Sequence, residues 1–216
     1  MCVIAILVDK KLPFDILEKC HDANSDGIGI AWFEARARYK KGIKSPQEAF
    51  DFIQDLNLPL ILHFRQSSCG GKSELLTHPF EITRKSELRL EGEADKLLMH
   101  NGHVHNWELL LAAAGMEEEN KNILMSDSRA IAMIISNNNE RFLHKASGKY
   151  VIIDSTVRKI RMFGDFEQEE GIFFSNTYWK YRSFRNWKNG IYDDENCYGD
   201  GYSFPGFHNH IIPKPN

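Results

Sequence analysis

Long apolar runs are missing from this 216-residue chain, and no segment approaches the ~20 residues that a membrane-spanning helix needs. Cysteine is scarce: four residues, at positions 2, 20, 69 and 197, show no CxxC spacing and no disulfide framework, so a reducing cytoplasm is the expected compartment. An excess of charge of one sign is also lacking. With 27 basic against 30 acidic residues and a net charge of -3, the chain offers no polybasic field for nucleic acid. No basic segment precedes the first apolar run, so that run is not read as a secretory signal. There is no long repeat. The biased patches are Asn137-Asn138-Asn139 and an aromatic-rich C-terminal segment. What is present is a globular composition, 42% apolar and 26% charged, at a length that suits one domain with a substantial core.

The chain opens Met1-Cys2-Val3-Ile4-Ala5-Ile6-Leu7-Val8, a cysteine ahead of a β-branched apolar run that reads as a strand buried on both faces. If Met1 is removed, Cys2 carries both a thiol and a free α-amine. Their ordinary pKa values, about 8.5 and about 7.7–8.0, allow a proton to pass between them near neutral pH. The plainer alternative is a small apolar residue at a strand start.

Phe14, Ile16, Leu17 and Cys20 have helical spacing, and Asn24-Ser25-Asp26-Gly27 reads as a turn into the strand Gly27–Phe33. The glycines of that strand permit close backbone approach. Arg36–Tyr39 is its expected hairpin partner. Ser45-Pro46-Gln47-Glu48 has the residues of a capped helix start, followed by an apolar face of Ala49, Phe50, Phe52 and Ile53. Leu58–Phe64 is a second buried strand, ending at Arg65 before a polar loop from Gln66 to Thr77. Pro79 holds His78 extended. Arg84–Asp95 is charged and reads as a solvated turn or hairpin; Lys96–His100 is a strand stopped by Asn101-Gly102. Helices are expected from Asn106 to Gly115 and from the cap Ser126 through Ile135, with Asp127 in the first turn. Strands are expected over Lys149–Asp154, Val157–Phe163 and Gly171–Ser175. Beyond Tyr178 no period is evident. Strands this numerous, with helices between them, predict an α+β fold of packed sheets flanked by helices.

Five places at strand ends or turns carry chemistry: Cys2, Asn24–Gly29, His63-Phe64-Arg65, His100-Asn101-Gly102 and Ser126-Asp127. Taken singly, each has a structural explanation: a surface arginine, a hairpin turn, a helix-start carboxylate. In this order the chain resembles the class II glutamine amidotransferase domain, a member of the N-terminal nucleophile hydrolases. The matching text is Met1-Cys2, then Asn24-Ser25-Asp26-Gly27-Ile28-Gly29, then His63-Phe64-Arg65-Gln66-Ser67-Ser68-Cys69-Gly70. It continues with Thr77-His78-Pro79-Phe80, His100-Asn101-Gly102-His103-Val104-His105-Asn106 and Ser126-Asp127-Ser128. The resemblance covers most of residues 2–175, leaving 176–216 as an extension packed on the same domain.

The resemblance implies a four-layer αββα sandwich and hydrolysis of the glutamine side-chain amide. Cys2 would be the nucleophile, with its own α-amine as base. The Asn101 side-chain amide and the Gly102 backbone N–H would hold the oxyanion. Arg65 would take the α-carboxylate of the substrate and Asp127 its α-ammonium, with His78 and Ser68 as further substrate-binding candidates. Substrates would be glutamine or a γ-glutamyl compound, with no cofactor, nucleic acid or membrane involved. The chain departs from parts of the family. Asp22-Ala23-Asn24 stands where some branches carry an arginine, and Gln66-Ser67-Ser68-Cys69 lacks the aromatic of some sugar-amidating enzymes. About 40 residues follow the matched region, so the ammonia acceptor is expected to be a separate synthase, or the enzyme to act alone on γ-glutamyl amides or peptides. A non-catalytic glutamine-binding or regulatory module is the alternative of another class. His103 and His105, with His208 and His210, raise metal ligation, but the Asn-Gly turn interrupts the pattern and no cysteine or carboxylate stands at a supporting spacing, so no metal is expected.

Overall fold

Strands of five to seven residues form the centre of both sheets in a computed structural model that describes residues 2–67, 73–116, 124–137 and 140–181. β1 (Val3–Leu7) is buried along its whole length. Its alternation divides the burial: Val3, Ala5 and Leu7 face a helical layer, and Ile4 and Ile6 face the second sheet. The first sheet also contains β2 (Gly27–Phe33), β3 (Ala37–Ile43), β4 (Leu60–Arg65), β6 (Glu91–Ala94), β10 (Glu167–Glu169) and β11 (Ile172–Phe174). Its order is β10-β11-β1-β4-β2-β3-β6, so β1 lies inside the sheet between β11 and β4. The second sheet is formed by β5 (Phe80–Glu81), β7 (Lys96–Asn101), β8 (Lys149–Asp154) and β9 (Lys159–Phe163), in the order β5-β7-β8-β9. Neighbouring strands in both sheets are antiparallel.

Helices cover the outer faces. α1 (Phe14–Ala23) and α2 (Pro46–Gln54) pack Leu17, Cys20, Ala49 and Ile53 on the first sheet. α3 (Trp107–Ala113) and α4 (Asp127–Ile135) cover the second, with Ile131, Ala132 and Ile135 of α4 against Leu98 and Ile152. Between the sheets lies an apolar layer that includes Ile4, Ile6, Ile61, Leu97, Met99, Val151 and Ile153. These four layers are the αββα arrangement that the resemblance implied. Both expected caps form: Ser45 accepts from the Glu48 N–H and Ser126 from the Arg129 N–H, each at 3.2 Å. The Glu48 carboxylate does not return to the cap; it pairs with Lys40 at 3.0 Å.

The expected strands form with small changes of extent, and two polar edge strands are additional. The stretch 84–95 was expected to be a solvated turn or hairpin, and this is corrected in part. Glu91–Ala94 pairs with β3 as an edge strand, and Ser86 is fully buried, its carbonyl and that of Lys85 accepting from the Arg129 guanidinium. β3 itself runs well past Tyr39, to Ile43, where it pairs with Ile28 of β2. After Phe174 the described chain stays on the core: Trp179 is buried, with its ring 5.2 Å from Phe174. The rest of the expected C-terminal extension, from 182 on, lies outside the described residues.

Candidate active site at one end of the sandwich

Register decides which residues meet. On β4, Phe64 pairs with Val3 and His63 with Ile4, so continuing the ladder by one step sets Cys2 beside Arg65. Arg65 is in turn opposite Gly27 of β2. The Cys2 thiol donates to the Gln66 carbonyl and accepts from the Gln66 N–H, both at 3.4 Å. Burial pushes the thiol pKa up, and the Gln66 backbone contact and the Arg65 charge pull against that rise.

The early turn braces the same end. The Asp26 N–H donates to the Arg65 carbonyl at 3.0 Å, and the Asp26 carboxylate accepts from the Ser67 N–H at 2.7 Å. Gly27 has φ +143°, and a Cβ there would stand 2.9 Å from Thr77 Oγ1. The Arg65 guanidinium donates to the Ser73 carbonyl and to Ser67 Oγ, both at 3.3 Å. Desolvation lowers its pKa, while the Asp26 carboxylate and Cys2 oppose the shift.

The second sheet brings Asn101 and Gly102 to this end through the close of β7, where Asn101 pairs with Lys149. Asn101 is buried and its Nδ2 donates to Ser175 Oγ at 2.9 Å. Gly102 follows at a point of close approach. A Cβ on it would lie 2.7 Å from Gly148 Cα and 2.7 Å from His100 Nε2, so only glycine fits this path. Asp127 opens α4, its carboxylate accepting from the Val104 N–H at 3.0 Å and the Ser128 N–H at 2.7 Å. His103 Nδ1 lies 3.5 Å from it. His103 and His105 stand edge to face in the loop after β7 rather than on a strand.

His78 is buried, its ring 4.0 Å from that of His63 and 5.0 Å from that of Phe80. The peptide bond to Pro79 is cis. His63 contacts the His100 carbonyl through Nε2 at 3.1 Å, and His100 meets Ser128 Oγ through Nδ1 at 2.9 Å. Desolvation keeps all three rings neutral, pushing His63 down to about 3, His100 down to about 4 and His78 well below the usual imidazole range. Ser68 lies outside the described residues.

Two residues that sequence reasoning missed complete this end. Ser175 Oγ accepts from the Ile4 N–H as well as from Asn101, at 2.9 Å each, and Asn176 Nδ2 donates to the Cys2 carbonyl at 2.7 Å. A serine and an asparagine after a short apolar strand give no signal of such a role, because their partners are up to 174 positions away.

No family model matches the chain, and no curated protein matches its sequence. Among solved structures, glutamine phosphoribosylpyrophosphate amidotransferase from B. subtilis, complexed with ADP and GMP, matches with a TM-score of 0.52 and 15% identity. The match covers 81% of this chain and 41% of that one. A structure described as the allosteric regulatory enzyme of purine biosynthesis matches with a TM-score of 0.50, at the same 15% identity and the same 81% and 41% coverage. What is shared is the fold, α+β with two antiparallel sheets. The chain spans about two fifths of the length of each of these structures.

Proposed function

We propose that this chain hydrolyses the side-chain amide of glutamine through a γ-glutamyl thioester on Cys2. The observation that carries this reading is the meeting of Cys2, Arg65 and Asn101 at one end of the sandwich: Cys2 heads an interior strand beside Arg65, and Ser175 ties Asn101 to that same strand.

The mechanism requires removal of Met1, which frees the α-amine of Cys2. Burial raises the thiol pKa, so the thiolate needs a base at hand, and that amine, with an ordinary pKa of about 7.7–8.0, supplies one. Sulfur attacks the amide carbon while its proton moves to the amine. The carbonyl oxygen becomes an oxyanion, held by the Asn101 side-chain N–H and the Gly102 backbone N–H. Collapse breaks the C–N bond, the ammonium of Cys2 returns its proton to the leaving nitrogen, and ammonia departs. Water, deprotonated by the same amine, then cleaves the thioester to release glutamate and the thiol. Arg65 takes the substrate α-carboxylate through its planar fork and Asp127 its α-ammonium, with His78 and Ser68 as further substrate-binding candidates.

Recognition of the zwitterionic head serves a γ-glutamyl amide or peptide as well as glutamine, and hydrolysis of a substrate panel separates these. In this reading the ammonia passes to an acceptor synthase on a separate chain. Full glutamine turnover in the absence of any partner chain would instead assign a free-standing amidase. Treatment with a glutamine-mimicking diazoketone should leave one adduct, on an N-terminal Cys2 lacking Met1, by mass spectrometry. Cys2→Ser should abolish glutamine hydrolysis; full activity in that variant would sink the proposed nucleophile.

A further inference from the structure

Ser175 is fully buried at the end of β11 and bonds through each of its polar groups. Its N–H donates to the Ile4 carbonyl at 2.9 Å, and its hydroxyl oxygen accepts from the Ile4 N–H and from Asn101 Nδ2, each at 2.9 Å. Its carbonyl accepts from Lys149 Nζ at 2.6 Å. Ile4 belongs to β1 in the first sheet, whereas Asn101 and Lys149 form the paired ends of β7 and β8 in the second. One residue therefore joins the nucleophile's strand to both strands that carry the oxyanion side. The next residue, Asn176, bonds the Cys2 carbonyl.

A primary amide has two N–H groups. Committing one of them to Ser175 Oγ fixes the amide plane, and the second then has a set direction before substrate arrives. A preorganised donor stabilises developing charge without reorganising during the reaction. We propose that Ser175 is a positioning residue that holds the Asn101 amide in register with Cys2, a role that rests on the glutaminase reading above. It acts through Asn101 and does not itself touch substrate.

The test compares glutamine hydrolysis by the wild-type protein, Ser175→Ala, Asn101→Ala and the double variant. Ser175→Ala should lower kcat about tenfold or more, up to the roughly 10²–10³ typical of losing an oxyanion donor, with KM changed less than about twofold. In the Asn101→Ala background the same change should have no further effect on kcat, because the group it positions is gone. Ser175→Thr should restore much of the rate. If Ser175→Ala does not fold, Ser175→Cys keeps a γ atom but weakens the acceptor, and should show the same pattern. Multiplying losses in the double variant would overturn the proposal. A second readout is independent of turnover: the Asn101 side-chain amide resonances, assigned by their loss in Asn101→Ala, should shift and exchange faster with water in Ser175→Ala. Unchanged resonances would also overturn it. A wild-type protein that does not turn over glutamine would refute the glutaminase reading, while the resonances would still decide whether Ser175 holds Asn101.

Discussion

Arg65 ends β4 beside Cys2, with its guanidinium spanning Ser67 Oγ and the Ser73 carbonyl. Lysine could preserve the charge there but not a planar fork able to hold the local acceptors and a carboxylate together. Arg65→Lys is expected to raise KM for glutamine by roughly 10- to 100-fold, the equivalent of losing one charge-assisted hydrogen bond, with a smaller change in kcat. Steady-state kinetics would check this, and an unchanged KM would remove Arg65 from the substrate clamp. Cys2, Arg65, Asn101 and Asp127 could be named as candidates from the sequence because their short words at strand ends and turns, taken together and in order, resemble a family pattern. Ser175 and Asn176 could not, since Asn101, Ile4 and Cys2, which they bond at this end, lie 74 to 174 positions away and neither residue breaks the local pattern.

Among the elements, β2 makes the tightest approach to the site. A Cβ on Gly29 would lie 1.6 Å from the His78 carbonyl oxygen, a backbone atom that cannot swing aside as a side chain would. Gly29→Ala should therefore cost about 3 kcal/mol or more, at or above the upper end of ordinary overpacking, and push the Thr77–Pro79 segment away from β2. Chemical denaturation would measure the loss, and a variant as stable as wild type would mean that the segment does not pack as described. This contact was anticipated in kind: the alternation of glycine and isoleucine in Gly27–Ile30 marks a strand another backbone can approach. Continuous apolar runs made β1, β4 and β8 legible as well, since burial on both faces leaves no room for polar residues. The edge strands β6 (Glu-Gly-Glu-Ala) and β10 (Glu-Gln-Glu) were missed because the charge that protects an edge also erases the strand pattern.

For the whole molecule, the buried imidazoles set a sensitivity to acid. His63 and His100 are pushed down to about 3 and about 4, and His78 also falls well below its ordinary range, all by desolvation. The unfolded chain takes up these protons near the ordinary value of about 6.5, where the folded protein still excludes them. Their contribution is thus fully present above about pH 6.5 and is lost as pH falls toward the folded values. Each ring adds a slope of up to about 1.4 kcal/mol per pH unit within that window. The urea midpoint should drop clearly between about pH 7 and about pH 5, and a flat profile would mean that the three rings accept protons without unfolding.

The two sheets meet in the middle through Ile4, Ile61, Met99 and Val151, and at the candidate site through Ser175. Apolar surfaces of this kind tolerate exchanges of similar volume, whereas a hydrogen-bonded donor responds to displacements of fractions of an ångström. The position of Asn101 therefore depends on how the two sheets pack in this layer. Under the glutaminase reading, a conservative change at Met99 or Val151 is expected to alter kcat more than it alters the melting temperature.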